Sequence, residues 1–205
     1  MLLLGSYYSP FARRVGAALI ARDIPFTHHG VNVFVDPAPV AAVNPLVKIP
    51  VLQLDSGEAL IDSMAIVDHL NEQLGPDRAL VPPSGAERRT VLRLTAIAGT
   101  VCEQIIAWEE ELRRTESQPK AIARHRRAIT NGFATLDAAS ETDGLIGRAP
   151  LDLATISAYI AYDYHAGSAL PERDGERLAP RLAAVAERLA DHPAFALTQF
   201  RSQAS

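Results

Sequence analysis

Two residues with side-chain hydroxyls stand at the starts of helical patterns. Ser9 precedes Pro10, and Phe11, Val15, Ala18 and Leu19 recur at i, i+4, i+7 and i+8, one stripe of a helix. Proline at the first helical position sacrifices no hydrogen bond, because that N–H has no helical partner, so Ser9 is the expected N-cap. Free N–H groups and the positive end of the helix dipole favour negative charge there. Asp62-Ser63 precede a second amphipathic stretch, Met64 to Leu70, with Ser63 the expected cap. The histidines show no chelating spacing. His28 and His29 are neighbours on an expected strand and so face opposite sides. His69, His125, His165 and His192 are isolated, and no metal site is expected. The single cysteine, Cys102, excludes an intramolecular disulfide and a cysteine-built zinc site. It falls in an apolar helical stripe, where a buried, inert thiol is expected.

Composition narrows the classes further. Of 205 residues, 48% are hydrophobic and 21% charged, enough apolar surface to exclude a wholly disordered chain. Lys and Arg number 20 against 24 Asp and Glu, giving −4, which does not suit a general binder of phosphate backbones. The basic run Arg124-His125-Arg126-Arg127 and the acidic run Glu109-Glu110-Glu111 beside Trp108 both read as solvated helix faces. Met1 to Leu4 is too short and too soon followed by Gly5-Ser6 for a signal peptide. No unbroken apolar run approaches a membrane span of about 18–20 residues, so a soluble cytoplasmic protein without membrane or nucleic-acid partners is expected.

The elements that must position these residues follow from periodicity. Leu2 to Leu4 reads as a buried strand, and His29, Val31 and Val33 as a second. Val51 to Leu54 and Ala59 to Ile61 flank Asp55-Ser56-Gly57-Glu58 as a hairpin. Residues 75–85 hold three prolines and two glycines. The expected domains are therefore 1–78 and 86–205, with 79–85 as linker. Beyond the linker the pattern is all-helical, over about 87–116, 119–139, 152–165 and 180–190. The fold class is α/β plus all-α.

Three motifs occur in order: Ser9-Pro10-Phe11-Ala12-Arg13-Arg14-Val15, then Asn44-Pro45-Leu46-Val47-Lys48-Ile49-Pro50-Val51-Leu52, then Ile61-Asp62-Ser63. Together they resemble the glutathione-binding half of a glutathione S-transferase, of the bacterial type with serine at the catalytic position. In the helical half, Asp152-Leu153-Ala154-Thr155-Ile156 resembles the family's capping motif, with the hydroxyl and the acid exchanged. The stretch from Pro180 to Phe195 resembles its C-terminal region. The resemblance implies a thioredoxin-like first domain with a mixed four-stranded sheet, a helical-bundle second domain and a homodimer. It also implies an enzyme that stabilises the thiolate of its co-substrate glutathione and conjugates it to a small electrophile, as in detoxification.

The site residues that the resemblance implies are these. Ser9 donates to the sulfur and is catalytic, with Tyr7 and Tyr8 as rivals, since tyrosine plays this part in other branches. Ile49, before a cis Pro50, pairs its backbone with the glutathione cysteine. Lys48 meets the glycine carboxylate. Ser63 holds the γ-glutamyl carboxylate and Asp62 the α-amine. Tyr8, Phe11, Ile105, Trp108 and Tyr159 line the electrophile pocket. The family has glycine where Val47 stands, which puts the conformation of that loop in question. Branches that exchange thiols carry cysteine at the position of Ser9. Serine cannot form a mixed disulfide, so disulfide reduction is not expected. Two alternatives remain: a non-catalytic regulatory or assembly module of transferase-like fold, and a glutathione-dependent isomerase or dehalogenase. The Ser-Ser-Cys start of the zeta branch of such isomerases is absent here.

Overall fold

The computed structural model of the chain describes residues 1–141 and 144–199. Two compact units divide at Pro83/Ser84. The first runs β1 (Leu2–Leu4), α1 (Pro10–Ala21), β2 (Thr27–His29), α2 (Ala38–Ala41), β3 (Val51–Gln53), β4 (Ala59–Leu60) and α3 (Ser63–Leu74). Its sheet has the order β2-β1-β3-β4, with β1 parallel to β2 and antiparallel to β3, and β3 antiparallel to β4. This is the expected thioredoxin-like arrangement. On one side Leu3 and Leu52 pack with Val15 and Leu19 of α1 and Ile66 and Leu70 of α3. All six are fully buried, and each such side chain contributes about 1.5–3 kcal/mol. On the other, Leu4 and Val51 pack with Val31 and Val40.

The second strand is displaced from its expected place. β2 pairs Thr27, His28 and His29 with Leu2, Leu3 and Leu4. Val31 and Val33 alternate because both pack against Leu4, Val40 and Val51, outside the ladder. Residues 79–83 are not a free linker: Leu80 is fully buried, its amide donates to Asn71 Oδ1 at 2.7 Å, and Arg22 donates to the carbonyls of Arg78 and Ala79.

The second unit holds α4 (Gly85–Leu112), α5 (Pro119–Ala138), α6 (Leu153–Gly167), α7 (Gly175–Leu178) and α8 (Pro180–Leu189). By length and composition α4 is apolar enough to cross a membrane, a property hidden from a search for unbroken apolar runs. Both α5 and α6 pack on it, which accounts for its apolarity as a core helix. Residues 191–199 depart from the expected boundary. Their helix α9 (Pro193–Ala196) packs on α1 of the first unit, and Arg13 Nε donates to Thr198 Oγ1.

The acidic run after Trp108 is only partly a surface. Glu109 and Glu111 are buried, and only Glu110 is exposed. Glu109 Oε1 accepts the Ala169 amide at 2.7 Å, and Glu111 Oε1 accepts the Gln118 amide at 2.5 Å. The Gln118 amide, with Arg114 beside it, holds the Glu111 carboxyl below its ordinary range. Asp137 of α5 caps α8 from a distance: its Oδ1 accepts from the amides of Arg181 and Leu182 at 2.7 and 3.1 Å. Asp152 caps α6 through the Thr155 amide at 2.7 Å, as expected. Thr155 does not return to the cap. Its Oγ1 accepts the Gly147 amide at 3.0 Å and ties down the preceding loop.

Candidate functional site

The β1–β3 register sets Leu4 opposite Val51. The turn after β1 therefore runs beside Ile49 and Pro50. Gly5 makes the approach possible: a Cβ there would lie 3.0 Å from Ile49 Cβ and 3.1 Å from Ala12 Cβ, and its φ of +141° is one that other residues rarely adopt. The turn ends on Ser9, the N-cap of α1, whose Oγ accepts the Ala12 amide at 3.4 Å. A serine hydroxyl has one proton and two lone pairs, so with a lone pair taken the O–H is left to donate elsewhere.

The loop into Pro50 hangs on a residue whose role the sequence reading passed over. Asn44, 1% exposed, donates to the Lys48 carbonyl at 2.8 Å and accepts the Leu46 amide at 3.0 Å. Within this loop Val47 has φ +51°, the left-handed region that favours glycine. The loop thus keeps a glycine-type backbone although valine stands there. The Ile49–Pro50 bond is cis, as expected. Pro50 is buried, Ile49 half-buried, and Lys48 exposed. Among the described residues no hydrogen bond is made to the Ile49 amide or carbonyl.

At the start of α3 the cap is Asp62, not Ser63. Asp62 Oδ1 accepts the amides of Met64 and Ala65 at 2.8 and 3.2 Å. Ser63 is the first helical residue, 3% exposed, and its Oγ accepts from Arg14 Nη2 at 2.7 Å. No bond to the Ser63 amide is present among the described residues. The Arg14–Ser63 bond ties α1 to α3, and the Gly5–Ile49 approach sets the turn before Ser9 beside Ile49.

The aromatic candidates separate. Tyr7 stacks on His28 with ring centroids 3.9 Å apart, and its ring lies so close to α1 that a Cβ at Gly16 would fall 2.6 Å from it. Burial pushes its hydroxyl up to about 12. Tyr7 is a packing residue. Tyr8 is 49% exposed. Phe11 lies half-buried beneath the Arg14 guanidinium, 5.3 Å from the ring centroid, so it supports Arg14. Ile105, Trp108 and Tyr159 are buried among the core side chains of the helical unit. Trp108 lies beneath the Arg126 guanidinium, 5.8 Å from the ring, and Arg126 pairs with Glu172. The expectation that these three border an open pocket meets core packing instead. Cys102 is buried. Among the described residues no cluster of His, Cys, Asp and Glu is placed to hold a metal ion.

A mixed sheet in the order β2-β1-β3-β4, a cis proline facing the first turn and an appended helical unit define the class of two-domain proteins with a thioredoxin-like domain. Residues 3–78 match the family model described as glutathione S-transferase, N-terminal domain. The whole chain superposes on a glutathione S-transferase from Methylobacterium radiotolerans, solved in complex with glutathione sulfonate. The TM-score is 0.86 at 26% identity, over 100% of this chain and 98% of that one. A glutathione S-transferase from Methylobacillus flagellatus with glutathione bound gives a TM-score of 0.86 at 29% identity, over 96% and 98%. Over 172 residues, 80% of this chain and 81% of the relative, it is 29% identical to the uncharacterized GST-like protein YibF of Escherichia coli. The first unit thus resembles the glutathione-binding domain of glutathione S-transferases, and the chain as a whole is similar to solved members of that family.

Proposed function

We propose that the protein binds glutathione at the corner formed by Ser9, Ile49-Pro50 and Asp62-Ser63, and transfers its thiolate to a small electrophile. The observation that carries this reading is the start of α3. There the Ser63 amide is unclaimed, its hydroxyl proton is free to donate, and Asp62 has used only Oδ1 on the helix. The γ-glutamyl end of glutathione presents a carboxylate and an amine side by side, the complement of that pair. The Ile49 backbone is suited to strand-like pairing with the glutathione cysteine. Lys48 reaches from an exposed position toward the glycine carboxylate.

Chemistry then falls to Ser9. A free thiol has a pKa of about 8.5, and each unit by which a donor lowers it is about 1.4 kcal/mol. The Ser9 hydroxyl donates to the sulfur, and the start of α1 adds its dipole. Serine remains protonated and forms no bond with the substrate. Holding the thiolate against the electrophile supplies the rest of the acceleration. Tyr8 is the exposed aromatic beside Ser9 and borders the electrophile. Homodimeric assembly and a cytoplasmic place belong to the same reading.

Calorimetric titration with glutathione, followed by a conjugation assay with a chloro-nitroaromatic, tests it. Binding with turnover is expected. Binding without conjugation but with isomerisation of a maleylacetoacetate-type substrate would make the protein an isomerase. Absence of glutathione binding would leave the non-catalytic module.

A further inference from the structure

Arg14 lies on α1 one turn beyond Phe11, and only 6% of it is exposed. A cation this deep is retained only where its donors are used. One of them, Nη2, reaches Ser63 Oγ at 2.7 Å, while the guanidinium plane is backed by Phe11. A guanidinium has donors and no acceptor. The Ser63 O–H therefore cannot turn toward Arg14, and its one proton must be offered to a different acceptor. The unclaimed Ser63 amide sits on the same residue at the start of α3. The two donors of Ser63 form a pair, and Arg14 sets the direction of one of them.

Resting on the glutathione reading above, we propose that Arg14 is a positioning residue for the γ-glutamyl α-carboxylate. It acts through Ser63: by occupying a lone pair on Oγ it turns the hydroxyl proton toward the ligand, so the carboxylate meets a pre-aligned O–H and N–H. The effect is specific to an acceptor at that place in the ligand. A strut that merely joined α1 to α3 would serve every ligand alike.

The test uses the full chain and two ligands, glutathione and its analogue with the γ-glutamyl α-carboxylate converted to a carboxamide. Binding is measured by calorimetry. The unmodified chain is expected to favour glutathione at least tenfold. In Arg14→Met glutathione weakens about tenfold, while the carboxamide changes less than twofold, so the preference collapses. Arg14→Lys, which keeps the charge, serves if the methionine variant does not fold, and is expected to lose part of the preference. Ser63→Ala loses the preference, and adding Arg14→Lys to it weakens glutathione no further. Equal weakening of both ligands by the Arg14 variants overturns the positioning role and leaves the glutathione site standing. So do losses that add in the double variant. Failure of the unmodified chain to bind glutathione at all removes the site itself, and the proposal with it.

Discussion

Polar side chains are spent differently in the two units. In the helical unit, buried carboxylates are consumed by the fold. Glu109 holds the Ala169 amide, Glu111 holds the Gln118 amide, and Asp137 holds the first free amides of α8. In the first unit, Ser9 and Ser63 each accept one bond and keep a proton to donate, and Asp62 caps α3 with a single oxygen. Asp137 and Asp62 show the contrast most directly, since both accept amides at a helix start. What separates a structural cap from a binding group is the donor or acceptor left over once the cap is made.

The largest expected effect tests the consumed side of that contrast. Asp137→Ala removes two amide bonds and a partner of Arg181, which lies 3.5 Å from Oδ2. It should cost about 2–3 kcal/mol of stability in denaturant titration, with glutathione affinity unchanged. A change in affinity would break the division of labour.

Ser9→Ala tests the other side. Turnover at neutral pH should fall at least tenfold, about 1.4 kcal/mol, and the thiol limb of the pH–rate profile should move to higher pH. Glutathione affinity should change less, because Ile49 and Asp62-Ser63 remain. Tyr7→Phe should leave the profile in place, since Tyr7 is packed on His28 and α1. A shift of the profile in Tyr8→Phe, with none in Ser9→Ala, would transfer the role to Tyr8.

Much of this was legible in advance, and the exceptions have physical causes. Sequence alone does not separate Asp62 from Ser63 as the cap of α3, because both are good caps and stand side by side; only the backbone path decides between them. The second strand lies earlier than expected because Val31 and Val33 alternate for packing against Leu4, Val40 and Val51, and alternation does not distinguish that from a ladder. Glu109 and Glu111 looked solvated because their partners are loop amides, which leave no mark in composition. Sequence alone groups residues 191–199 with the helical half, because a helix as short as α9 has no periodicity to show which core it joins. The Ser9 cap and the cis bond before Pro50 were legible, the first from Ser-Pro ahead of an apolar stripe and the second from the family resemblance.

Val47→Gly sharpens the comparison at smaller scale. A β-branched residue at φ +51° stores about 1–3 kcal/mol of strain, and glycine gives back up to about 1 kcal/mol through a looser unfolded chain. A net gain of about 1 kcal/mol is expected in thermal unfolding, with glutathione affinity retained. A lower melting temperature would show that the valine side chain contributes more by packing than its backbone costs.

The smallest effect is acid sensitivity in the helical unit. The Glu111 carboxyl is held below its ordinary value of 4.5, so its contribution to stability is present above that pH and is lost as pH falls through the lower, folded value. Denaturant midpoints followed from pH 6 to 3 should fall less steeply in Glu111→Gln than in the unmodified chain. Identical slopes would remove Glu111 from the account.

The contact between Gly5 and Ile49 carries a consequence for how relatives of this chain can diverge. With 3.0 Å between Ile49 Cβ and the place where a Cβ on residue 5 would stand, the constraint falls on position 5. Any side chain at 5 demands a different backbone angle and a shift of the backbone that carries Ile49 and Ala12, because both close contacts are with β-carbons that only glycine lacks. Among relatives that keep the proline at position 50, glycine at 5 should be retained whatever stands at 49, while position 49 is free to vary alone.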